Sequence, residues 1–216
     1  DGNPAVKTRG FMRIGDAAEA AFDPPWRVVT FDLPPGKIGE RLTTQYARHY
    51  GVSFSQGLTR QLCNGQRDGF LDTQCTYLRA PSGRIAAAYR DDWGAPLVIN
   101  FDAPVCAAAM AIYPTGGKEG EKFRIRLVPV AADGDALPKA ELFFTWTENT
   151  FRWRLMAGVE SLDKRATRVR VTVDSLDNPK VAVRFLLDDV AYLAGAPCDK
   201  LKPVAQNGAA GTALGS

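Results

Sequence analysis

The side chains best placed for chemistry in this sequence point to recognition rather than turnover. Trp93 lies in the polar segment Tyr89-Arg90-Asp91-Asp92-Trp93-Gly94. An indole beside two acids can stack on a sugar ring while Asp91 and Asp92 accept hydrogen bonds from its hydroxyls. The same tryptophan can equally plug the end of a hydrophobic core. Arginines form a second group: Arg124, Arg126, Arg152, Arg154, Arg168, Arg170 and Arg184 alternate with apolar residues. Planar guanidinium forks match carboxylate and phosphate. Such a row is either a solvated face balanced by acids or a docking surface for anionic glycan, lipopolysaccharide or an acidic protein.

Catalytic groupings are weak. His49, the single histidine, sits between Tyr46 and Tyr50 with no GxSxG elbow to accompany it, and reads as structural. Acid pairs for glycoside hydrolysis need only two carboxylates from distant strands. Candidates such as Asp91, Asp92 and Glu148 have no distinguishing context, so no catalytic residue is assigned and no enzyme is expected. The four cysteines, Cys63, Cys75, Cys106 and Cys198, form no CxxC and no zinc set. Either they are buried free thiols, or they form two disulfides in an oxidising compartment. In the second case Cys63 and Cys75 clasp the loop Asn64-Gly65-Gln66-Arg67-Asp68-Gly69, leaving Cys106 to pair with Cys198.

These residues must be positioned by strands. Candidate strands run over Trp26–Asp32, Gly51–Ser55, Gly83–Tyr89, Leu97–Asp102, Val105–Tyr113, Lys122–Val130, Ala140–Thr147, Thr150–Met156, Thr167–Asp174 and Val181–Tyr192, with Gly, Pro, Asp and Asn between them. Only Gly39–His49 suits a helix of any length. With no βαβ alternation, the pattern predicts an all-β, two-sheet antiparallel β-sandwich of jelly-roll type. A turn at Glu148-Asn149 would set Trp146, Phe144 and Leu142 opposite Phe151, Trp153 and Leu155 on one face, which reads as core rather than a sugar platform. In the last strand, alternation turns Asp189 inward with Phe185 and Leu187. A carboxylate there must be paired, metal-bound, capping amides or lifted by a bulge.

The totals agree. The chain has 216 residues, 45% hydrophobic and 24% charged, with net charge +3. That is long enough to bury roughly 70% of its unfolded surface, and too weakly basic to argue for nucleic acid. No stretch approaches the ~20 apolar residues of a membrane helix. The start at Asp1 rather than Met, together with the cysteines, suggests a removed leader and export. The expected organisation is a flexible N-terminal arm (1–25), the β-sandwich (26–201) and a flexible tail (202–216).

Three blocks carry a resemblance. Val29-Thr30-Phe31-Asp32-Leu33-Pro34-Pro35-Gly36 is followed by Gln45-Tyr46 and Gly51-Val52-Ser53-Phe54-Ser55. Leu97-Val98-Ile99-Asn100-Phe101-Asp102-Ala103-Pro104-Val105 forms the second block and Phe185-Leu186-Leu187-Asp188-Asp189-Val190-Ala191-Tyr192 the third. Together they resemble exported bacterial β-sandwich modules, carbohydrate-binding-like jelly rolls such as occur in PEP-CTERM-type secreted proteins. No Pro-Glu-Pro sorting segment is present, and neither the cysteines nor the arginine row belongs to that pattern. The resemblance implies a structural calcium between first and last strands, held by Asp32, Asp188 and Asp189 with Glu40 or a loop carbonyl. It also implies a secreted, periplasmic or cell-surface module that binds glycan or another acidic surface polymer. The alternatives are a structural subunit gripping an envelope protein and a jelly-roll hydrolase.

Overall fold

The computed structural model describes residues 7–14, 26–55, 57–63, 81–82, 84–89, 95–115, 117–147, 155–161, 164–179 and 183–195. Eleven strands are linked in antiparallel pairs: β1 (Thr8–Ile14), β2 (Arg27–Val29), β3 (Val52–Phe54), β4 (Leu58–Leu62), β5 (Ile85–Tyr89), β6 (Leu97–Pro114), β7 (Lys122–Ala131), β8 (Ala140–Thr145), β9 (Leu155–Ser161), β10 (Ala166–Ser175) and β11 (Phe185–Ala194). One helical turn, α1 (Ala47–Tyr50), precedes β3.

Strand β6 organises the molecule. Its first part pairs with β3 and β10; its second part pairs with β9 and β11. One layer therefore runs β3-β6-β10-β7-β8. The other runs β4-β5-β11-β6-β9-β1, with β2 lying along β11 beyond β5. The residues of β6 show why. Leu97, Ile99 and Phe101 are buried, while Val98 and Asn100 are half-buried, as in a sheet with one wet face. Asp102, Ala103 and Pro104 are exposed at the crossing. From Val105 to Pro114 every residue is buried, so the second layer is covered on both faces. The two candidate strands Leu97–Asp102 and Val105–Tyr113 are thus one strand shared by both layers, and the fold is the expected antiparallel β-sandwich.

The core lies between the layers. Phe123, Ile125 and Leu127 of β7 join Val169, Val171 and Val173 of β10 on one side; Met110, Ile112, Phe185, Leu187 and Val190 meet them from the other. Phe123 stacks on Phe144 with centroids 5.5 Å apart, and Tyr113 meets Trp146 edge-on at 5.0 Å. Phe144 and Trp146 are core, as alternation implied. The expected pairing of Leu142 with Leu155 does not form: Leu142 of β8 stands opposite Ile125 of β7, and Leu155 of β9 opposite Ile14 of β1. Phe151 and Trp153, like the turn at Glu148-Asn149, lie outside the described residues.

Three local readings change. Thr8–Ile14, expected within a loose arm, forms edge strand β1. Arg9 reaches the fully buried Glu160 carboxylate at 2.7 Å, and the Phe11 ring occupies the space left by Gly158. The rest of the 1–25 arm and the 202–216 tail lie outside the described residues. The segment 39–46 is not helical because its amides are drawn sideways: Leu42 N–H donates to the Leu58 carbonyl and Gly39 N–H to that of Arg60. Strand β4 was unexpected because it buries Arg60 and Gln61.

Candidate functional site

At one end of the sandwich the β6–β7 connection and the segment after β10 come together, because β10 pairs antiparallel with β7 and Ser175 stands opposite Phe123. Between them lies a cleft of about 550 Å³ lined by Thr115, Lys118, Glu119, Gly120, Glu121, Phe123, Ser175, Asp177, Asn178 and Val183. It bridges the layers, since Thr115 leaves β6 and Val183 precedes β11. The Thr115 hydroxyl and amide both donate to the Arg184 carbonyl, at 2.9 and 2.8 Å.

The acids of the cleft are held in place. Glu121 accepts from the Ser175 hydroxyl at 2.6 Å and from Lys118 N–H at 3.1 Å. Asp177 accepts from Lys122 N–H at 2.8 Å, and Asn178 N–H donates to the Ser175 hydroxyl at 3.1 Å. The loop lies against Trp146: the Trp146 amide donates to the Glu121 carbonyl, and a Cβ on Gly117 would stand 2.5 Å from the indole. The result is a wet, preorganised cleft with acceptors, amides and a hydroxyl around an apolar floor of Phe123 and Val183. Such lining suits a polyhydroxylated ligand. Sequence reading missed it, because the two loops become neighbours only through the β7–β10 pairing.

The acids expected at the strand junction come together in part. β2 pairs with β11, so Asp32, just beyond β2, lies near Asp188 and Asp189. The strand bends there: Asp189 takes φ 46°, and the register with β6 slips between Asp188 and Ala191. The bulge makes Asp188 rather than Asp189 the fully buried carboxylate, against the plain alternation expected from sequence. Asp188 accepts from the Ser82 amide at 3.1 Å and the Ser82 hydroxyl at 3.3 Å; Asp32 accepts from Arg84 N–H at 3.0 Å. One oxygen on each of Asp32, Asp188 and Asp189 is buried without a hydrogen-bond partner. Burial, and then the charge of Asp189, hold Asp188 well above the usual carboxylate range. Burial also raises Asp189, with Asp32 adding to it.

Glu40 does not join this group. It faces Arg60 at 3.7 Å and accepts from Lys37 N–H and Gln45. Buried Arg60 in turn donates to the carbonyls of Phe31 (2.7 Å) and Pro34 (3.0 Å) and to the Tyr46 hydroxyl (3.1 Å), fixing the turn that carries Asp32. Burial pushes the Tyr46 phenol up to about 12. Among the described residues no three His, Cys, Asp or Glu side chains form a ready metal-binding group. The unpartnered buried oxygens of Asp32, Asp188 and Asp189 are donors of the class that a hard cation takes.

The arginine row divides. Arg124 meets Asp174 at 2.8 Å and Glu141 at 3.7 Å; Arg126 meets Glu141 at 3.2 Å and Asp174 at 3.5 Å. On that half each arginine meets acids, with Lys139 also reaching Glu141 at 3.1 Å. Arg168 and Arg170 are exposed on β10 with no acidic partner among the described residues. Arg184 is exposed beside the cleft. Trp93, Asp91, Asp92, Arg152, Arg154 and Glu148 lie outside the described residues, as do Cys75 and Cys198. Cys63 and Cys106 are buried, and no described cysteine is a free thiol. His49 is exposed in α1, away from the cleft lining. No described helix is long and apolar enough to cross a membrane.

No protein family and no curated relative matches the sequence. Among solved structures, a DUF4465 family protein from Bacteroides caccae superposes with TM-score 0.51 at 13% identity, covering 79% of this chain and 99% of that one. The CBM22-1 xylan-binding domain of Paenibacillus barcinonensis Xyn10C gives TM-score 0.36 at 13% identity, over 75% and 100% of the two chains. The C-terminal family 22 carbohydrate-binding module of Clostridium thermocellum Xyn10B gives 0.37 at 10%, over 74% and 94%. The first shares the fold; the other two are looser likenesses.

Proposed function

We propose that this protein is a non-catalytic glycan-binding module, exported to the periplasm or cell surface, with its principal site in the cleft at the end of β7 and β10. The observation that carries this reading is the lining of that cleft: Glu119, Glu121, Asp177, Asn178, Ser175 and Thr115 set around Phe123 and Val183 in about 550 Å³. Sugar hydroxyls both donate and accept, and fixed carboxylates, amides and hydroxyls meet them without reorganisation. The buried cysteines accord with export, with Cys63 joined to Cys75 and Cys106 to Cys198.

A structural calcium belongs to the same reading. Asp188, Asp189 and Asp32 would hold it, supplying oxygens that otherwise lack partners. Its chemistry would be charge neutralisation, and the chain's own part is to fix those carboxylates through Ser82, Arg84 and the turn that Arg60 braces.

The test is titration of the full chain with neutral and acidic bacterial and plant polysaccharides, with and without chelator, beside Glu121→Gln and Asn178→Ala. Saturable binding that weakens roughly tenfold or more in the variants is expected, since each removes a charged or amide hydrogen bond. Absence of binding to every polymer would sink the reading. Release of reducing ends that stops in Glu121→Gln would convert the protein into a hydrolase.

A further inference from the structure

One sheet face of the sandwich is open to solvent along its strands: the outer side of the β3-β6-β10-β7-β8 layer. Directly opposed residues share a face, so the register defines its rows. Ser53, Asn100, Arg168 and the buried Val130 form one row, and Val98, Arg170 and Val128 the next. Further along, Thr172 lies beside Arg126 and Asp174 beside Arg124. Acids are distributed unevenly over these rows. Asp174 and Glu141 neutralise Arg124 and Arg126 on the β7–β8 side. On the β6–β10 side Arg168 and Arg170 stand exposed, and Asp102, which follows Asn100 by two residues in β6, makes no ion pair with either among the described residues. Two same-face positions in one strand are about 7 Å apart, so the guanidinium groups form a pair of adjacent forks, Arg168 beside Asn100 and Arg170 between Val98 and Val128.

We propose that Arg168 and Arg170, flanked by Asn100, bind the carboxylates of a uronic-acid polysaccharide, so that this face selects acidic glycans from neutral ones. The proposal rests on the glycan-binding reading of the cleft and adds a second contact surface to it. A guanidinium fork takes a carboxylate through two parallel hydrogen bonds. The flanking amide of Asn100 supplies donors and an acceptor for ring hydroxyls. The excess positive charge on this side of the face complements a regularly spaced polyanion, and its two forks on one strand match repeated carboxylates better than a single one.

The experiment compares polygalacturonate with a neutral galactan as probes, using wild type, the double variant Arg168→Ala/Arg170→Ala, the double variant Arg168→Lys/Arg170→Lys, and the cleft variant Asn178→Ala. The arginines are exposed, and unchanged thermal unfolding will confirm that the variants fold. Wild type is expected to hold polygalacturonate roughly tenfold or more tightly than the double alanine variant, with affinity falling as salt rises. The lysine pair should recover only part, because charge remains and the fork does not. Galactan binding should be the same in wild type and the double alanine variant. Equal polygalacturonate affinity in wild type and the double alanine variant overturns the proposal, as does a wild type that does not bind polygalacturonate at all. Loss of both polymers in Asn178→Ala with the arginine effect absent also overturns it and leaves the cleft reading standing. Polygalacturonate binding that depends on the arginines while galactan is never bound supports the arginine site and overturns the cleft.

Discussion

Asp188 concentrates the electrostatics of this fold in one side chain. It is fully buried, it accepts from the amide and hydroxyl of Ser82, and one of its oxygens has no hydrogen-bond partner among the described residues. Burial raises its pKa above the ordinary 3.8, and Asp189 follows the same direction. The folded chain therefore keeps protons that the unfolded chain releases. For groups raised in this way the contribution to stability is full below the ordinary carboxylate value and is lost as pH rises through the folded values. In metal-free protein, raising the pH from about 4 to about 7 should lower the unfolding temperature through these acids. Calcium at neutral pH should reverse that by taking the place of the protons. At ~100 times its Kd it would add about 2.7 kcal/mol, equivalent to about 5–10 °C for a chain of this size. Asp188→Asn should remove the calcium response and weaken the pH response, leaving the part that Asp189 carries. Scanning calorimetry across pH, with and without calcium, decides it: no calcium shift in wild type would remove the metal from this site.

Among the elements, β1 depends on close approaches, of Gly10 to Ala140 in β8 and of Phe11 to Gly158 in β9. A Cβ on Gly158 would stand 2.2 Å from Phe11, which is rigid aromatic ring rather than a flexible tip. Gly158→Ala should cost about 1–3 kcal/mol by overpacking, and Phe11→Leu should recover part of that loss in the double variant, as coupled neighbours do. Denaturant unfolding of the four proteins measures it, and strictly additive losses would show that the ring is not the obstacle. The same strand shows where sequence reading ends. Lys122–Val130 and Thr167–Asp174 were legible because Phe, Ile, Leu and Val alternate with arginine or threonine over a half-wet sheet. β1 buries only Phe11 outright and carries a glycine and two arginines, so its pairing is decided by β9 rather than by its own pattern. β4 escaped because Arg60 is buried for its hydrogen bonds, which no local periodicity announces. The nearness of Asp32, Asp188 and Asp189 was legible, and a bulge at Asp189 was among the readings; that the bulge buries Asp188 in its place was not. The cleft was illegible, since Glu121 and Asp177 are ordinary turn residues until β7 and β10 pair.

Across the whole molecule, burial is asymmetric. The layer containing the second part of β6 is buried on both sides, through small residues such as Ala107, Ala109 and Ala111 and covering groups such as Phe11. The other layer keeps its outer face wet. Strand β10 belongs to that exposed layer, with Arg168 near one end and Ser175 at the rim of the cleft. Seven residue steps along the strand separate them, about 24 Å. A strand of fixed length is a ruler. Short oligosaccharides can touch the cleft or the arginines, but not both, and should bind with affinities that hardly change as sugars are added. Once an acidic chain is long enough to lie along β10, its second contact becomes intramolecular, and affinity should rise abruptly by about 10² or more. A series of oligogalacturonates of increasing length, measured by calorimetry, would show a step. A smooth slope would mean that the two ends of β10 never share a ligand.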